Sequence, residues 1–407
     1  MLMMSSTETL ATADVVVVGA GITGLCTAWE LRQRGFGVVL VDQRFPGYGA
    51  SSRNPGALWL QTRRAGLELE LARAGKLKYE QYLDILGDVF DFRREGGLFF
   101  FETEEQGEVL RAYVEDRRAA GLAIEMVSRK DAAKSCAILP DTALGAAFCA
   151  DDAQIDALSF ISAMESACVR GGVRFFRNTA VLSTLREGDR VVGVRTVRGE
   201  VMASGVVWAT GAWATTLRAE GILVPVETTR MGQLMMQPVD LESSPLVHGP
   251  KGVRGCGALT ELPEYRRELF AGPLGGAPGD GGGYDDAAML NRGGSLYIGH
   301  TVDGRHSLNP HITLAATNAM TEIGLERYPR FAEYGVTGLW AGLGCETPDD
   351  LPVVDRAEGV YVNVGHAWGV SSGPICGQVL AEIIAGERSE FASGLSAERA
   401  SLHSARR

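Results

Sequence analysis

The sequence predicts an α/β fold joined to a second domain that contains strands, and three observations carry this prediction. A strand–helix–strand unit spans 15–42, where two apolar runs flank a glycine-rich turn and a helical stretch. The length of 407 residues exceeds what one small core organises. Further along, the periodicity predicts helices at 63–86, 105–120 and 157–170, and strands of the second domain at 96–101 and 222–237.

Composition and charge narrow the function classes. No apolar run approaches the roughly 20 residues of a membrane helix, and the first 14 residues lack the basic and apolar regions of a secretory signal. We therefore expect a cytoplasmic protein. The net charge of −11 without a basic block argues against nucleic acid as a partner. Seven scattered cysteines without a CxxC pair predict neither a disulfide framework nor a metal site.

The glycine-rich turn has the spacing GxGxxG. It follows a β-branched run, Val15–Val18, which is typical of a strand buried on both faces. Gly19 allows the tight turn, Gly21 lets the backbone approach a pyrophosphate, and Gly24 lets the helix pack closely on the strand. The first amides of the helix and its positive end would face the phosphates.

The second strand of this unit ends on an acid. Asp42 lies eighteen residues after the last glycine, where a carboxylate accepts both ribose hydroxyls of an adenosine and repels a 2′-phosphate. These features predict a dinucleotide site, against the alternative of a chance glycine turn in an α/β protein. The predicted site also includes Ile22, Thr23, Gln43 and Arg44, and its pattern does not separate FAD from NAD.

A second loop, "GASSRNPGALW", favours the longer cofactor FAD, although an ordinary polar connection would have a similar composition. Ser51 and Ser52 can donate hydroxyls to phosphate oxygens. Four further residues can lay backbone against an isoalloxazine ring, namely Asn54, Gly56, Ala57 and Leu58. Downstream, a strand ends in "ATGAW", whose small residues would let the cofactor lie against the chain. The cofactor residues predicted in this region are Ala209, Thr210, Gly211 and Trp213, with Val181 from an earlier strand.

A fourth stretch, "VNVGHAWGVSSGPICG", combines a strand at 360–364 with a helix. Ser371 or Ser372 would cap this helix, Pro374 would lie in its first turn, and Gly386 would end it. A helix N-terminus carries about half a positive charge, which would stabilise an anionic reduced flavin if it faced N1 and C2=O. The cofactor residues predicted in this stretch are Gly365, His366, Ala367, Trp368, Gly369 and Val370, and Gly342 in the preceding "LWAGLGC" segment is predicted as well.

Together these motifs resemble the D-amino-acid oxidase/glycine oxidase superfamily of FAD-dependent amine oxidoreductases, nearly from end to end. The most telling pair is "LWAGLGCETPDDLPVVD" followed by "VNVGHAWGVSSGPICG". Within the superfamily, the chain is similar to the flavin subunits of opine oxidase, hydrogen cyanide synthase and hydroxyproline dehydrogenase. The resemblance implies a Rossmann-like FAD-binding domain of the glutathione-reductase type at 1–80, 151–220 and 338–390, an antiparallel-sheet substrate domain at 81–150 and 221–337, and a tail at 391–407.

One departure from the superfamily concerns the substrate. Relatives that act on simple amino acids carry an arginine in the "AGLRP" segment, where it binds the substrate carboxylate with two parallel donors. Here the segment is "AGLGC", and Gly344 occupies that position. Either Arg230 or Arg292 holds the carboxylate instead, or the substrate is a bulkier secondary amine, or the chain carries its flavin with little chemistry of its own.

The resemblance implies hydride transfer from the carbon that bears nitrogen to flavin N5, followed by hydrolysis of the imine. Such a step needs positioning more than a protein base. His366 and His300 are the predicted catalytic residues, although a structural histidine is the alternative for His366. Gln233, Tyr297 and Trp340 join Arg230 as the predicted substrate-binding residues.

The sequence is consistent with three functions. The first is an amine or imino-acid oxidase or dehydrogenase, and the second is a flavin-carrying subunit that depends on partner chains. The third, an aromatic hydroxylase, shares the first fingerprint but usually carries a "GD" motif where this chain has "GHAWG". The glycine-rich stretch 271–288 predicts either a mobile loop or a lid, and the tail has few apolar anchors, which predicts fraying or docking on a partner. The electron acceptor and the oligomeric state stay open.

Overall fold

The computed structural model describes residues 8–241, 243–253, 256–271 and 283–403. The strands are β1 (Thr9–Val18), β2 (Val38–Val41), β3 (Ala57–Leu58), β4 (Gly97–Phe101), β5 (Ile124–Ser128), β6 (Gly145–Cys149), β7 (Ala153–Gln154), β8 (Arg174–Phe176), β9 (Val181–Glu187), β10 (Arg190–Thr196), β11 (Gly199–Trp208), β12 (Glu227–Pro238), β13 (Leu246–His248), β14 (Gly283–Leu290), β15 (Ser295–Asp303), β16 (Val336–Glu346), β17 (Val353–Ala357) and β18 (Val360–Val364). The α-helices are α1 (Ile22–Gln33), α2 (Leu67–Leu86), α3 (Glu104–Ala119), α4 (Arg129–Ser135), α5 (Ala157–Arg170), α6 (Gly257–Thr260), α7 (Leu314–Arg327) and α8 (Gly369–Ala385). Most of the predicted lid, 272–282, lies outside the described residues.

The first sheet has the strand order β17-β18-β11-β1-β2-β8, with β10 and β9 attached beside β11. Its central pairs are parallel, which confirms the predicted strand–helix–strand unit. Val15 and Val17 pack in one hydrophobic cluster, whereas Val16 and Val18 pack in another. Because successive side chains of a strand point to opposite faces, β1 is buried on both sides.

The second sheet has the order β16-β12-β15-β14-β13-β4-β6-β5. It is antiparallel except for the β13–β4 pair, which confirms the predicted α+β domain with an antiparallel sheet. In its register, Gln233 lies opposite His300 on one neighbouring strand and opposite Trp340 on the other. β16 belongs to this sheet, although the predicted boundary at 338 places most of it in the FAD-binding domain. The domain boundaries stay a prediction.

The last helix begins earlier than the sequence predicts. α8 starts two residues before Ser371, and neither Ser371 nor Ser372 caps it. Pro374 therefore lies in the second turn, where it cannot donate to the carbonyl four residues before it. The hydroxyl of Tyr79 on α2 donates to this carbonyl, Val370 O, at 2.8 Å. A tertiary contact thus satisfies the group that the proline leaves open.

After Gly386, whose φ of 73° ends α8 as predicted, the tail packs against the first sheet. Arg399 donates from Nε and Nη2 to the two carboxylate oxygens of Asp349 at 2.7 and 2.9 Å. Leu395 and Leu402 are buried and supply the apolar anchors. Through residue 403, the tail docks on its own chain, which differs from the fraying or partner contact that its composition predicts.

We expect Arg399→Ala to lower the free energy of unfolding by about 1.5–3 kcal/mol at pH 7, as for a lost hydrogen bond to a charged group. Burial alone would raise the pKa of Asp349, but hydrogen bonds from Arg399 and Ser401 outweigh it and lower the pKa to about 2. This stabilisation is present above pH 4 and is lost as the pH falls towards 2. Urea denaturation at pH 7 and pH 3 tests both statements. The exposed Arg388→Ala is the control, and an equal loss in both variants would contradict the assignment.

Candidate active site

A cavity of about 380 Å³ lies between the two large sheets. Its wall comes from the carboxyl ends of β1 and β2, the loop 47–59, strands β12, β15 and β16, and the start of α8. Parallel α/β sheets bind ligands at the carboxyl ends of their strands. The cavity therefore joins the usual ligand position of the first sheet to one face of the second.

Most of the predicted cofactor residues line this cavity. They are Gly19, Gly21, Ile22, Thr23, Asp42, Gln43, Ser51, Asn54, Ala57, Val181, Ala209, Thr210, Gly211, Trp213, Gly342, His366, Ala367, Trp368, Gly369 and Val370. Most come from stretches that are far apart in the sequence. The fold brings three of these stretches together because β1, β11 and β18 are neighbouring parallel strands, whose carboxyl ends meet at one edge.

The fingerprint glycines leave no room for a side chain. A Cβ on Gly19, whose φ is 106°, would lie 2.4 Å from the carbonyl oxygen of Ala209. A Cβ on Gly24 would lie 1.9 Å from Gly19 O, and one on Gly21 would lie 2.9 Å from Ser51 Oγ. Gly24 packs behind the wall, whereas Gly19 and Gly21 form part of it. The turn therefore exposes bare backbone to the cavity.

The acid at the end of β2 is held in a fixed orientation. Its Oδ2 accepts the backbone N–H of Ala20 at 2.7 Å, and its Oδ1 accepts that of Arg44 at 2.7 Å. Burial raises the pKa of Asp42, although both N–H groups act in the opposite direction. A carboxylate oxygen has more than one acceptor position, so each can also accept a ribose hydroxyl. The side chain of Arg44 stacks over Tyr48 and does not line the cavity.

Near the end of β11, two buried polar atoms of wall residues have no hydrogen-bond partner within the described residues. They are Nε1 of Trp208 and Oγ1 of Thr210. A buried polar group without a partner costs about 1–3 kcal/mol, and such groups are rare in folded proteins. A polar ligand that reached these atoms would satisfy both of them.

Besides Gly24, four predicted cofactor residues lie behind the wall. The hydroxyl of Ser52 donates to the carbonyl of Gly47 at 2.7 Å, so its hydrogen is not available to a phosphate as predicted. Gly56 and Gly365 have φ values of 91° and 79° and shape their loops, while Leu58 is fully buried in the core. These residues position the wall without forming it.

His366 lines the cavity, but both of its ring nitrogens are hydrogen-bonded within the chain. Nδ1 lies 3.1 Å from Ser372 Oγ, and Nε2 lies 2.8 Å from Asn363 Oδ1. The amide of Asn363 donates in turn to Thr27 Oγ1 on α1. Burial lowers the pKa of His366 to about 3. The ring is therefore neutral at pH 7, and this geometry favours a positioning residue over the predicted proton acceptor.

We expect His366→Gln to change how stability depends on pH. Because the folded pKa is depressed, the unfolded chain binds a proton below pH 6.5 that the folded chain does not bind. The native histidine thus costs about 1.4 kcal/mol of stability per pH unit as the pH falls from 6.5 towards 3. Urea denaturation between pH 7.5 and 5 should show a shallower slope for His366→Gln. The exposed His311→Gln is the matched control, and parallel slopes for all three proteins would refute the assignment.

The predicted substrate-binding residues and the predicted catalytic residue His300 separate into two groups. Gln233, Tyr297 and His300 line the cavity from β12 and β15. The amide of Gln233 donates to backbone carbonyls of β15, the nearest at 2.8 Å, so its position is fixed. Trp340 lies behind the wall, where Nε1 donates to the carbonyl of Arg53 and the ring packs edge-on against Tyr297 at 6.1 Å.

The two arginines predicted to hold a carboxylate lie elsewhere. Arg230 donates from Nε and Nη2 to the carboxylate of Asp303, at 2.8 and 3.1 Å, across the β12–β15 pair. Arg292 is exposed and lies 3.9 Å from Asp88. Neither lines the cavity. The structure therefore gives neither arginine the contact with a ligand that the sequence predicts.

Two arginines that the sequence does not single out line the cavity, Arg53 and Arg63. Arg53 follows the paired serines of the second loop, and Arg63 lies in "QTRR" before α2. Charged residues beside a helix start are usually solvated, so the local pattern carries no signal for either. Only the packing of the loop against α8 shows that Arg63 is buried.

Comparison with known proteins agrees with this geometry. The family model described as FAD dependent oxidoreductase (DAO) matches residues 14–383. The chain belongs to this family. It is 25% identical to a D-amino acid dehydrogenase of Vibrio vulnificus, over 93% of this chain and 98% of that one, and 25% identical to the hydrogen cyanide synthase subunit HcnC of Pseudomonas protegens, over 91% and 92%. Its fold is similar to that of glycine oxidase from Geobacillus kaustophilus, with a TM-score of 0.80 and 20% identity over 96% and 99%.

FAD fits the cavity of this FAD-dependent oxidoreductase. The glycine turn and the first amides of α1 would hold the pyrophosphate, and Asp42 would hold the adenosine ribose. Trp208 and Thr210 offer unpartnered polar atoms to the same ligand. The backbone at the start of α8 would face the electron-rich part of the ring. These assignments to individual residues stay predictions.

Proposed function

We propose that this family member oxidises the C–N bond of an amino acid or a secondary amine. When bound, FAD accepts a hydride at N5 from the carbon that bears nitrogen, and the resulting imine hydrolyses in water. One observation carries the proposal. The cavity is continuous from the fingerprint turn at Gly19 to the second sheet at Gln233, Tyr297 and His300, where a small substrate can lie beside the cofactor.

The substrate end of the cavity is suited to orienting a neutral amine. Met231, Ala288 and Met289 form an apolar surface that excludes water. Gln233 and Tyr297 offer polar groups beside this surface, and contacts within the second sheet hold both in place. His366 is neutral and fully hydrogen-bonded, so orientation rather than proton transfer by this ring supports the reaction.

The substrate class follows from two considerations. The relatives are named for D-amino acids and glycine, which supports an amino-acid substrate. Gly344, in place of the arginine expected from the resemblance, weighs against a plain D-amino acid or glycine unless another group holds the carboxylate, and it favours a bulkier secondary amine such as an opine or imino acid. Candidates are best compared with the purified, FAD-loaded chain under anaerobic conditions. At least one among D-amino acids, N-alkyl amino acids, opines and hydroxyproline isomers should bleach the flavin absorbance. If none does while an unrelated alcohol does, the proposal is wrong.

A second candidate is a flavin-carrying subunit with limited activity alone. The similarity to HcnC, which is named as a subunit, supports it, as does Gly344. The same assay separates the two candidates, because bleaching by an amine without partner chains contradicts the subunit function. Within the described residues, no helix has the length and hydrophobicity needed to cross a bilayer. The cytoplasmic location stays a prediction.

A further inference from the structure

An amino-acid substrate needs a cation for its carboxylate, and β16 does not supply one. A Cβ on Gly344 would lie 2.8 Å from Thr229 Oγ1 and 3.3 Å from the terminal methyl of Met231. Neighbouring side chains therefore fill the space where an arginine would begin. The group that recognises a carboxylate must come from another element of the cavity.

Among the described residues of the cavity wall, the permanently cationic side chains are those of Arg53 and Arg63. The guanidinium of Arg53 is hydrogen-bonded to backbone carbonyls of the protein. Its Nε donates to Tyr48 O and its Nη1 donates to Ala341 O, both at 2.9 Å, and the guanidinium stacks over Tyr48 at 5.2 Å. These contacts tie the second loop to β16 and commit Nε and Nη1 of Arg53 to backbone carbonyls.

Arg63 is held differently. It is only 2% exposed, and its guanidinium carbon lies 3.6 Å from the ring centre of Trp368, so the two planes stack. Nε donates to Trp59 O at 3.1 Å. Nη1 has no hydrogen-bond partner within the described residues. The stack fixes the plane of the guanidinium and leaves one buried donor unused.

The carboxylates of Glu68 and Asp152 partly neutralise Arg63. Nη1 lies 3.6 Å from Glu68 Oε1, beyond hydrogen-bond distance, while the other oxygen of Glu68 accepts from Arg64 at 3.0 Å. Burial lowers the pKa of Arg63, which shows how poorly the site solvates this cation. Trp368 directly precedes α8, so the positive end of that helix is adjacent. An anion at the guanidinium would complete this neutralisation.

We propose that Arg63, held flat against Trp368 in the cavity wall, binds the carboxylate of the substrate through its guanidinium. The inference rests on the proposed amino-acid function and identifies the cation that replaces the missing one on β16. Arginine suits this role because its rigid, planar donors match a carboxylate. The expected ligand is an α-amino acid. When its carboxylate is bound by Arg63, its amine is directed towards the second sheet.

Carboxylate binding can be measured without turnover. Acetate and benzoate are titrated into the FAD-loaded full-length chain, and the change in the flavin absorbance gives the Kd. We expect Arg63→Gln to weaken both by about 10- to 100-fold, as for a lost hydrogen bond to a charged group. The neutral acetamide and benzamide should bind equally to both proteins. Arg94→Gln, an exposed arginine outside the wall, controls for net charge.

A second variant tests whether weaker carboxylate binding in Arg63→Gln could come from a damaged fold. Glu68→Gln removes the competing carboxylate beside Nη1, so we expect about two- to fivefold tighter benzoate binding, a gain that a damaged fold does not produce. A crystal structure of the wild type with benzoate should place its carboxylate against Arg63. Three results would each overturn the inference: unchanged Kd in Arg63→Gln, benzoate bound elsewhere, or an effect of Arg63→Gln on the flavin reduction potential alone. Because no substrate is oxidised, failure here is distinct from failure of the proposed function.

Discussion

Gly19→Ala is expected to abolish retention of FAD. The new Cβ would lie 2.4 Å from Ala209 O and 2.9 Å from Ala209 C, and both are backbone atoms. Ala209 cannot retreat, because its N–H donates to Val18 O at 2.9 Å and holds β11 against β1. The φ of 106° adds strain of about 1–2 kcal/mol for any residue with a side chain. The turn must therefore open where the pyrophosphate would bind.

Gly35→Ala is the matched control for this variant. Gly35 also has a positive φ, 88°, but no heavy atom lies within 4 Å of its hypothetical Cβ. It should lose only the conformational term of about 1–2 kcal/mol and retain FAD. FAD retention after gel filtration, with the thermal midpoint of each apoprotein, checks both variants. If Gly19→Ala keeps its flavin as Gly35→Ala does, the placement of Gly19 against Ala209 is wrong.

Arg327→Met should lower the free energy of unfolding by about 3–5 kcal/mol, because it leaves buried carboxylates without their counter-ion. The side chain of Arg327 is fully buried on α7. Its Nε and Nη2 bind Asp286 Oδ2 on β14 at 3.0 and 2.6 Å, and its Nη1 also binds Glu102. Burial raises the pKa of Asp286, so the deficit should shrink as the pH falls and this acid takes up a proton.

We expect Arg327→Met to perturb the cavity wall as well as to lower the stability of the fold. β14 carries Ala288 and Met289 into the wall at the substrate end, two and three residues after Asp286. Arg330→Met is the control, since this exposed arginine makes one hydrogen bond, to Ala137 O, worth about 1 kcal/mol. Urea denaturation at pH 7 and pH 5 measures both. Equal losses in the two variants would show that the buried ion pairs do not anchor β14.

Local patterns predicted several elements closely. The spacing at 157–170 matches α5, and the apolar run at 360–364 matches β18, because each pattern is long and ends at a clear signal. The predicted start of α8 was wrong because a tertiary contact stabilises an earlier start. Pro374 usually marks a first turn, but Tyr79 supplies the missing donor from a helix almost 300 residues away in the sequence. No signal near residue 374 contains that information.

The sequence by itself determined the parallel unit, the glycine turn against which a dinucleotide can lie, and the acid that follows it. Those features depend on neighbouring residues and on the steric freedom of glycine, so they are visible locally. Tertiary structure alone decided which arginine remains open to a ligand. Arg230 is neutralised by Asp303 on the adjacent strand, whereas Arg63 is buried against Trp368 with a donor unused. The availability of a charge depends on its partner, and the partner is set by packing between distant segments.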